Sequence, residues 1–237
     1  MSRAEEIAAA LREVRERIGE AALRAGRTAD AVRLIAVSKR MPAEDVAAAR
    51  DAGQQDFGEN YAQELRDKRL AVSPPVRWHY LGPIQRNKVK YLAGQVALIQ
   101  SVDDAEVVAE IDRRLGVEAA TAPPIEQRCL VQVNVAGETR KGGVPPHMLG
   151  ALLDRFATST RASCVGLMLI PPLEDDPGAT RRHFAALRQL AEREARVARP
   201  RVSLGELSMG MSGDYADAIA EGATMVRVGT AIFGARV

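Results

Sequence analysis

The chain has only two cysteines among its 237 residues, and its first 25 positions are charged and amphipathic, with no apolar leader. Cys129 and Cys164 fall in apolar runs, where a free thiol packs as a small hydrophobe. No disulfide framework is expected, and the setting reads as reducing and cytoplasmic. No run is apolar enough to span a bilayer. The three histidines, His79, His147 and His183, are scattered, and no Cys/His cluster has ligand spacing, so no metal centre is expected. Excess charge is lacking too. The net charge is +2, which argues against nucleic acid as the main partner. The short basic run Arg86-Asn87-Lys88-Val89-Lys90 reads as the solvated end of a helix. No Gly-x-Gly-x-x-Gly turn follows the first strand, and there is no Walker loop, nucleophile elbow or paired-carboxylate signature.

What is present is regular alternation. After an opening helix from Ala4 to about Arg24, strands are expected at Arg33–Ser38, Gln55–Gly58, Trp78–Leu81, Val96–Ser101, Arg128–Val135, Cys164–Ile170, Val202–Ser208 and Met225–Gly229. Helical patterns separate them at Ala43–Ala52, Tyr61–Leu70, Arg86–Ala93, Asp103–Leu115, Pro146–Phe156, Thr180–Val197 and Tyr215–Glu221. Pro42 and Gly53 bracket the first crossover helix. Eight strands, several of them nearly all apolar, point to a parallel sheet covered on both faces. The count favours a closed (β/α)₈ barrel over an open sheet, with residues 1–237 as one domain and residues 1–26 as an extra helix packed on it.

The end of the chain is its most informative part. Ser208-Met209-Gly210-Met211-Ser212-Gly213-Asp214 and Val226-Arg227-Val228-Gly229-Thr230 each carry an apolar run into a turn of small and hydroxylated residues. Exposed N–H groups with Ser and Thr hydroxyls suit a phosphate monoester, and barrels often bind phosphate after strands seven and eight. Lys39 ends the run Leu34-Ile35-Ala36-Val37-Ser38, and alternation places it on one face with Ile35 and Val37. An amine at the barrel mouth among apolar neighbours is a competent nucleophile toward an aldehyde. Arg227 stands in an apolar strand, where a fixed charge needs a partner: either a structural ion pair or a ligand group. Phe57-Gly58-Glu59-Asn60 and Trp78-His79-Tyr80-Leu81-Gly82-Pro83 bring further polar groups toward the same mouth. His79 is placed to stack on or hydrogen-bond a planar ligand. The polar stretch Asn134 to Gly143 reads as a lid or rim.

A lysine at one strand end, an arginine at another and a two-loop phosphate cradle suggest pyridoxal 5′-phosphate. The chain closely resembles the pyridoxal phosphate homeostasis family, single-domain relatives of the alanine racemase barrel. The resemblance runs from Leu34 to Gly234, on Ala36-Val37-Ser38-Lys39, Phe57-Gly58-Glu59-Asn60-Tyr61, Trp78 to Lys88, Ser208-Met209-Gly210-Met211-Ser212 and Val226 to Gly234. It implies that Lys39 forms the internal aldimine, that Met211, Ser212, Gly229 and Thr230 lie at the phosphate cradle, that Arg227 faces the pyridine nitrogen, and that Asn60 and His79 lie beside the ring. Lys141 matches a lysine that recurs after the fifth strand. Ala136 stands where the family usually carries serine, and Ile84 where leucine is commoner.

The family is known for binding the cofactor and balancing its supply, without established turnover. A guanidinium at the ring nitrogen keeps that nitrogen unprotonated and the ring a poor electron sink. The alanine racemase relatives add an acid/base tyrosine from a C-terminal domain, which is not expected here. The expectation is therefore a monomeric carrier that transfers the cofactor to recipient apoenzymes. The rival readings are an amino-acid racemase, with Tyr80 or Tyr61 as acid/base, and a Schiff-base aldolase acting on a sugar phosphate.

Overall fold

The computed structural model describes residues 1–118, 125–138, 142–172 and 176–235. Helix α1 (Arg3–Arg24) opens on a capping box, in which Ser2 and Glu5 each satisfy a backbone N–H of the other. Its stripe Ile7, Leu11, Val14, Ile18 and Ala22 repeats every three to four residues and is buried. It packs on the later helices α2 (Ala43–Asp51), α7 (Tyr215–Ala220) and α8 (Thr230–Phe233). Arg3 ties it down further, with Nη2 donating to Asp45 and to the carbonyl of Phe233, both at 2.7 Å.

The strands are β1 (Arg33–Val37), β2 (Asp56–Glu59), β3 (Arg77–Tyr80), β4 (Leu98–Val102), β5 (Gln127–Gln132), β6 (Ala162–Met168), β7 (Val202–Ser208) and β8 (Met225–Val228). They pair in parallel and in sequence order, and β8 returns to β1, closing the barrel. Between them run α3 (Ala62–Ala71), α4 (Ala105–Glu118), α5 (Leu149–Ala157) and α6 (Pro177–Glu194). Side-chain alternation gives two apolar cores. Outward residues such as Ala36, Phe57, Trp78, Val226 and Val228 pack under the helices. Inward residues Ile35, Leu98, Leu130, Met168 and Met225 fill the middle of the barrel. Cys129 and Cys164 are free and buried, as expected.

Several boundaries differ from the sequence reading. The segment Arg86–Tyr91 is a 3₁₀ helix where an α-helix over Arg86–Ala93 is expected. Gly94 at φ +70° ends the region. β5 stops at Gln132, because the Asn134 amide closes its own loop by donating to the Glu138 carbonyl at 2.8 Å. β6 stops at Met168, three residues before the pair Pro171-Pro172.

Candidate functional site

A cavity of about 270 Å³ opens at the end of the barrel where the strands' C-termini lie. Its wall includes Lys39, Asn60, Met211, Ser212, Arg227, Gly229 and Thr230. The pairing of Ile35 with Arg227 and of Ala36 with Val228 explains this convergence. With β1 and β8 in that register, the inward face carries Ile35, Val37 and Lys39 beside Arg227 and Gly229. The phosphate-type turns after β7 and β8 thus border the same space as the lysine.

Lys39 is half-buried, and the chain is gripped on both sides of it. Lys68, on α3, donates to the Ser38 carbonyl at 2.6 Å, to Glu59 Oε1 at 2.6 Å and to Glu64 Oε1 at 2.7 Å. Glu64 in turn accepts the Arg40 N–H at 2.6 Å, and the Ser38 hydroxyl donates to Glu59 at 2.7 Å. Arg40 lies at φ +63°, a left-handed conformation that this contact helps to hold. Glu59 is fully buried, and that burial pushes its carboxyl above the usual range despite the Lys68 ammonium. None of this cluster was apparent from sequence. The only signal was Glu64 and Lys68 at i, i+4, indistinguishable from an ordinary surface pair.

Arg227 is buried, and among the described residues no carboxylate is in hydrogen-bonding contact with it. Its Nη1 donates to Ser208 Oγ at 2.7 Å and its Nη2 to the Leu169 carbonyl at 2.8 Å. Burial lowers its pKa to about 10, which leaves it cationic at neutral pH. Two of its five N–H groups are engaged by these acceptors, and the side chain lines the cavity.

The turn after β7 is closed by Asp214, whose carboxylate accepts the Met211 N–H at 2.5 Å. Met211 therefore lines the cavity without offering that donor. Gly210 has φ +93°, and a Cβ there would stand 2.6 Å from Ala218 Cβ and 2.9 Å from Tyr215 Cα, so no other residue fits. Ser212 and Thr230 present exposed hydroxyls, and the first N–H groups of α8 have no intrahelical acceptor. Asn60 is fixed from behind by Gly82, where a Cβ would lie 2.0 Å from the Asn60 carbonyl oxygen. Val37, Leu81, Met168, Ile170 and Gly213 complete the wall. Met168 and Ile170 escaped the sequence reading because apolar residues at a strand end look like core.

His79 is the correction. It lies within the barrel, below the cavity, and is not part of its wall. Its Nε2 bonds Asp56 at 2.9 Å and its Nδ1 faces the Gln100 amide at 3.0 Å, so it does not reach a ligand at the mouth. The reason is register: His79 pairs with Gly58 and Leu98, one inward position below Leu81, which does line the cavity. Tyr80 and Tyr61 are likewise absent from the wall. The Tyr80 hydroxyl donates to the Pro83 carbonyl at 3.2 Å, and burial pushes its pKa up to about 12. Tyr61 is 46% exposed, and its hydroxyl accepts from Arg40 at 3.1 Å. Ala136 is exposed on the loop after β5, and Lys141 lies outside the described residues. Among the described residues no cluster could hold a metal ion, and no helix is long and apolar enough to cross a membrane.

The residues present suit pyridoxal phosphate: one amine, one buried guanidinium, two hydroxyls and bare glycine backbone around a single cavity. Comparison with known proteins points the same way. Residues 9–237 match the family model of the alanine racemase N-terminal domain. The chain is 42% identical over 231 residues to the pyridoxal phosphate homeostasis protein of Pseudomonas aeruginosa, covering 97% of this chain and 96% of that one. It is 39% identical over 236 residues to the protein of the same name from Escherichia coli K12, covering 98% and 97%. PipY of Synechococcus elongatus, solved with pyridoxal phosphate bound, superposes with a TM-score of 0.83 at 34% identity, over 96% of this chain and 100% of that one. The alanine racemase of Corynebacterium glutamicum shares the fold at a TM-score of 0.63 and 17% identity; the match spans 97% of this chain but 60% of the racemase. With its eight-stranded barrel and this cavity, the chain belongs to the pyridoxal phosphate homeostasis protein family, built on the alanine racemase N-terminal barrel.

Proposed function

We propose that this protein binds pyridoxal 5′-phosphate covalently through Lys39 and passes it to recipient apoenzymes in the cytoplasm, without catalytic turnover of its own. Bound there, the cofactor supplies an aldehyde that condenses reversibly with primary amines, which suits storage and hand-over. Lys39 Nζ provides the amine, steadied by the hydrogen bonds on Ser38 and Arg40. Ser212, Gly229 and Thr230 take the phosphate with hydroxyls and backbone N–H groups. Arg227 faces the ring nitrogen and, being donor-only, keeps it unprotonated, which disfavours carbanion chemistry. Asn60 lies beside the ring.

The observation that carries the reading is the convergence of Lys39, Arg227 and the two hydroxylated turns on one cavity. The absence of Tyr80 and Tyr61 from its wall favours a carrier over a racemase. Borohydride reduction after incubation with pyridoxal phosphate, followed by peptide mass spectrometry, tests it. The expected result is a pyridoxyl adduct on Lys39 that is lost in Lys39→Ala. An adduct confined to surface lysines overturns the reading.

A further inference from the structure

The barrel interior holds a continuous file of hydrogen bonds that no ligand contact requires. Starting at the cavity, Arg227 donates to Ser208 Oγ at 2.7 Å. Ser208 bonds Gln100 Oε1 at 2.6 Å, Gln100 Nε2 meets His79 Nδ1 at 3.0 Å, and His79 Nε2 meets Asp56 Oδ1 at 2.9 Å. At the far mouth Asp56 receives both Nε and Nη2 of Arg77, at 2.9 and 2.6 Å. Gln100 and Ser208 are fully buried and His79 is 2% exposed.

The orientation of the Gln100 amide, Oε1 toward Ser208 and Nε2 toward His79, sets the links between the two ends. Arginine has donors only, so Ser208 Oγ accepts from it, and the serine's own proton goes to Gln100 Oε1. The Gln100 carbonyl is thereby taken, and its NH₂ faces His79. His79 Nδ1 must then accept, which leaves the imidazole proton on Nε2. That proton goes to Asp56, which has acceptors only at neutral pH, Arg77 and His79 holding its carboxyl well below the usual range. This arrangement satisfies all five residues with a neutral imidazole. Burial pushes His79 down from its ordinary value, in agreement. Arg227 therefore leans on a serine whose orientation is set three residues away.

We infer that His79, Gln100 and Ser208 are positioning residues for Arg227, and that a neutral, Nε2-protonated His79 anchored on Asp56 fixes the guanidinium where the cofactor ring is bound. The inference rests on the cofactor reading above for its ligand, but the file itself is testable without ligand. In the ligand-free protein, nitrogen NMR is expected to find His79 neutral with its proton on Nε2 near neutral pH. An Nδ1-protonated or cationic ring overturns the assignment. Gln100→Glu sets a second carboxylate against Nδ1 and is expected to turn His79 into an imidazolium at the same pH; a ring that stays neutral overturns it as well.

With pyridoxal phosphate, Ser208→Ala is expected to raise the dissociation constant about tenfold, the scale of one lost charge-assisted hydrogen bond, and to shift the visible band. The Lys39 adduct should persist. Unchanged affinity and spectrum overturn the positioning role. A wild-type protein that gives no Lys39 adduct defeats the cofactor reading instead, and the His79 signals still decide the file.

Discussion

Behind the β1–β2 wall, the Lys68 ammonium meets two carboxylates within 2.7 Å, and all three of its protons are in use. Inside the barrel, charge is kept to the two ends of a file, with a neutral imidazole, an amide and a hydroxyl between Asp56 and Arg227. The first arrangement concentrates charge and grips backbone, at Ser38 and Arg40. The second spreads polarity and orients a side chain. The difference follows from what each must hold. A peptide carbonyl and N–H can be pinned from one point by a compact ion cluster. A guanidinium at the cavity needs an acceptor that is itself held, and a buried carboxylate in direct contact would compete with an anionic ligand for it.

Breaking the outer cluster should have the largest effect. Lys68→Met strands the buried Glu59 carboxylate beside Glu64 and is expected to cost about 3–5 kcal/mol by urea denaturation; a loss under about 1 kcal/mol would mean that the cluster is not structural. Gln100→Leu interrupts the file, leaving His79 Nδ1 without its donor and the Ser208 O–H without its acceptor. Its expected cost is smaller, about 1–3 kcal/mol, because no bare charge is exposed. Comparing the two denaturation curves checks whether burying charge or burying polarity is the heavier liability.

Acid and base should separate the two systems further, because their titrations have opposite signs. His79 is held below its ordinary value by burial. The unfolded chain takes up a proton below about pH 6.5 that the fold refuses, so stability present above that pH is lost as pH falls. Glu59 is held above its ordinary value. Its contribution is present at low pH and is lost as pH rises through the folded value. His79→Gln should flatten the decline in stability between about pH 6.5 and 5, by up to about 1.4 kcal/mol per pH unit. Identical slopes in mutant and wild type would break the assignment. The smallest effect is expected at the file's solvent end. Arg77 is 60% exposed in its side chain, and Arg77→Ala should change stability by no more than about 1 kcal/mol. A larger loss would mean that Asp56 depends on Arg77 as a buried charge pair.

The sequence was most legible where local pattern and chain order carry the information. Eight strand-like runs, several of them nearly all apolar, match eight strands in the right order, and the alternation of Ile35, Val37 and Lys39 matches the inward face of β1. The turns after β7 and β8 were readable because glycine and hydroxyls cluster there for a backbone reason, as at Gly210. Depth along a strand was not legible. His79 and Leu81 differ by one inward position, yet one lies inside the barrel and the other lines the cavity, and only register with β2 and β4 decides which. Contacts across elements were also hidden: Glu59 and Lys68 are nine residues apart on a strand and a helix, and nothing in their spacing marks them as a pair.

The pairing of β8 with β1 has one more consequence. A closed ring of strands has no open edge, so no other chain can add itself to this sheet backbone to backbone. Any protein that meets this one has to read side chains on loops and helices. Such an encounter leaves every strand pair intact. The barrel can release a partner without undoing any part of itself.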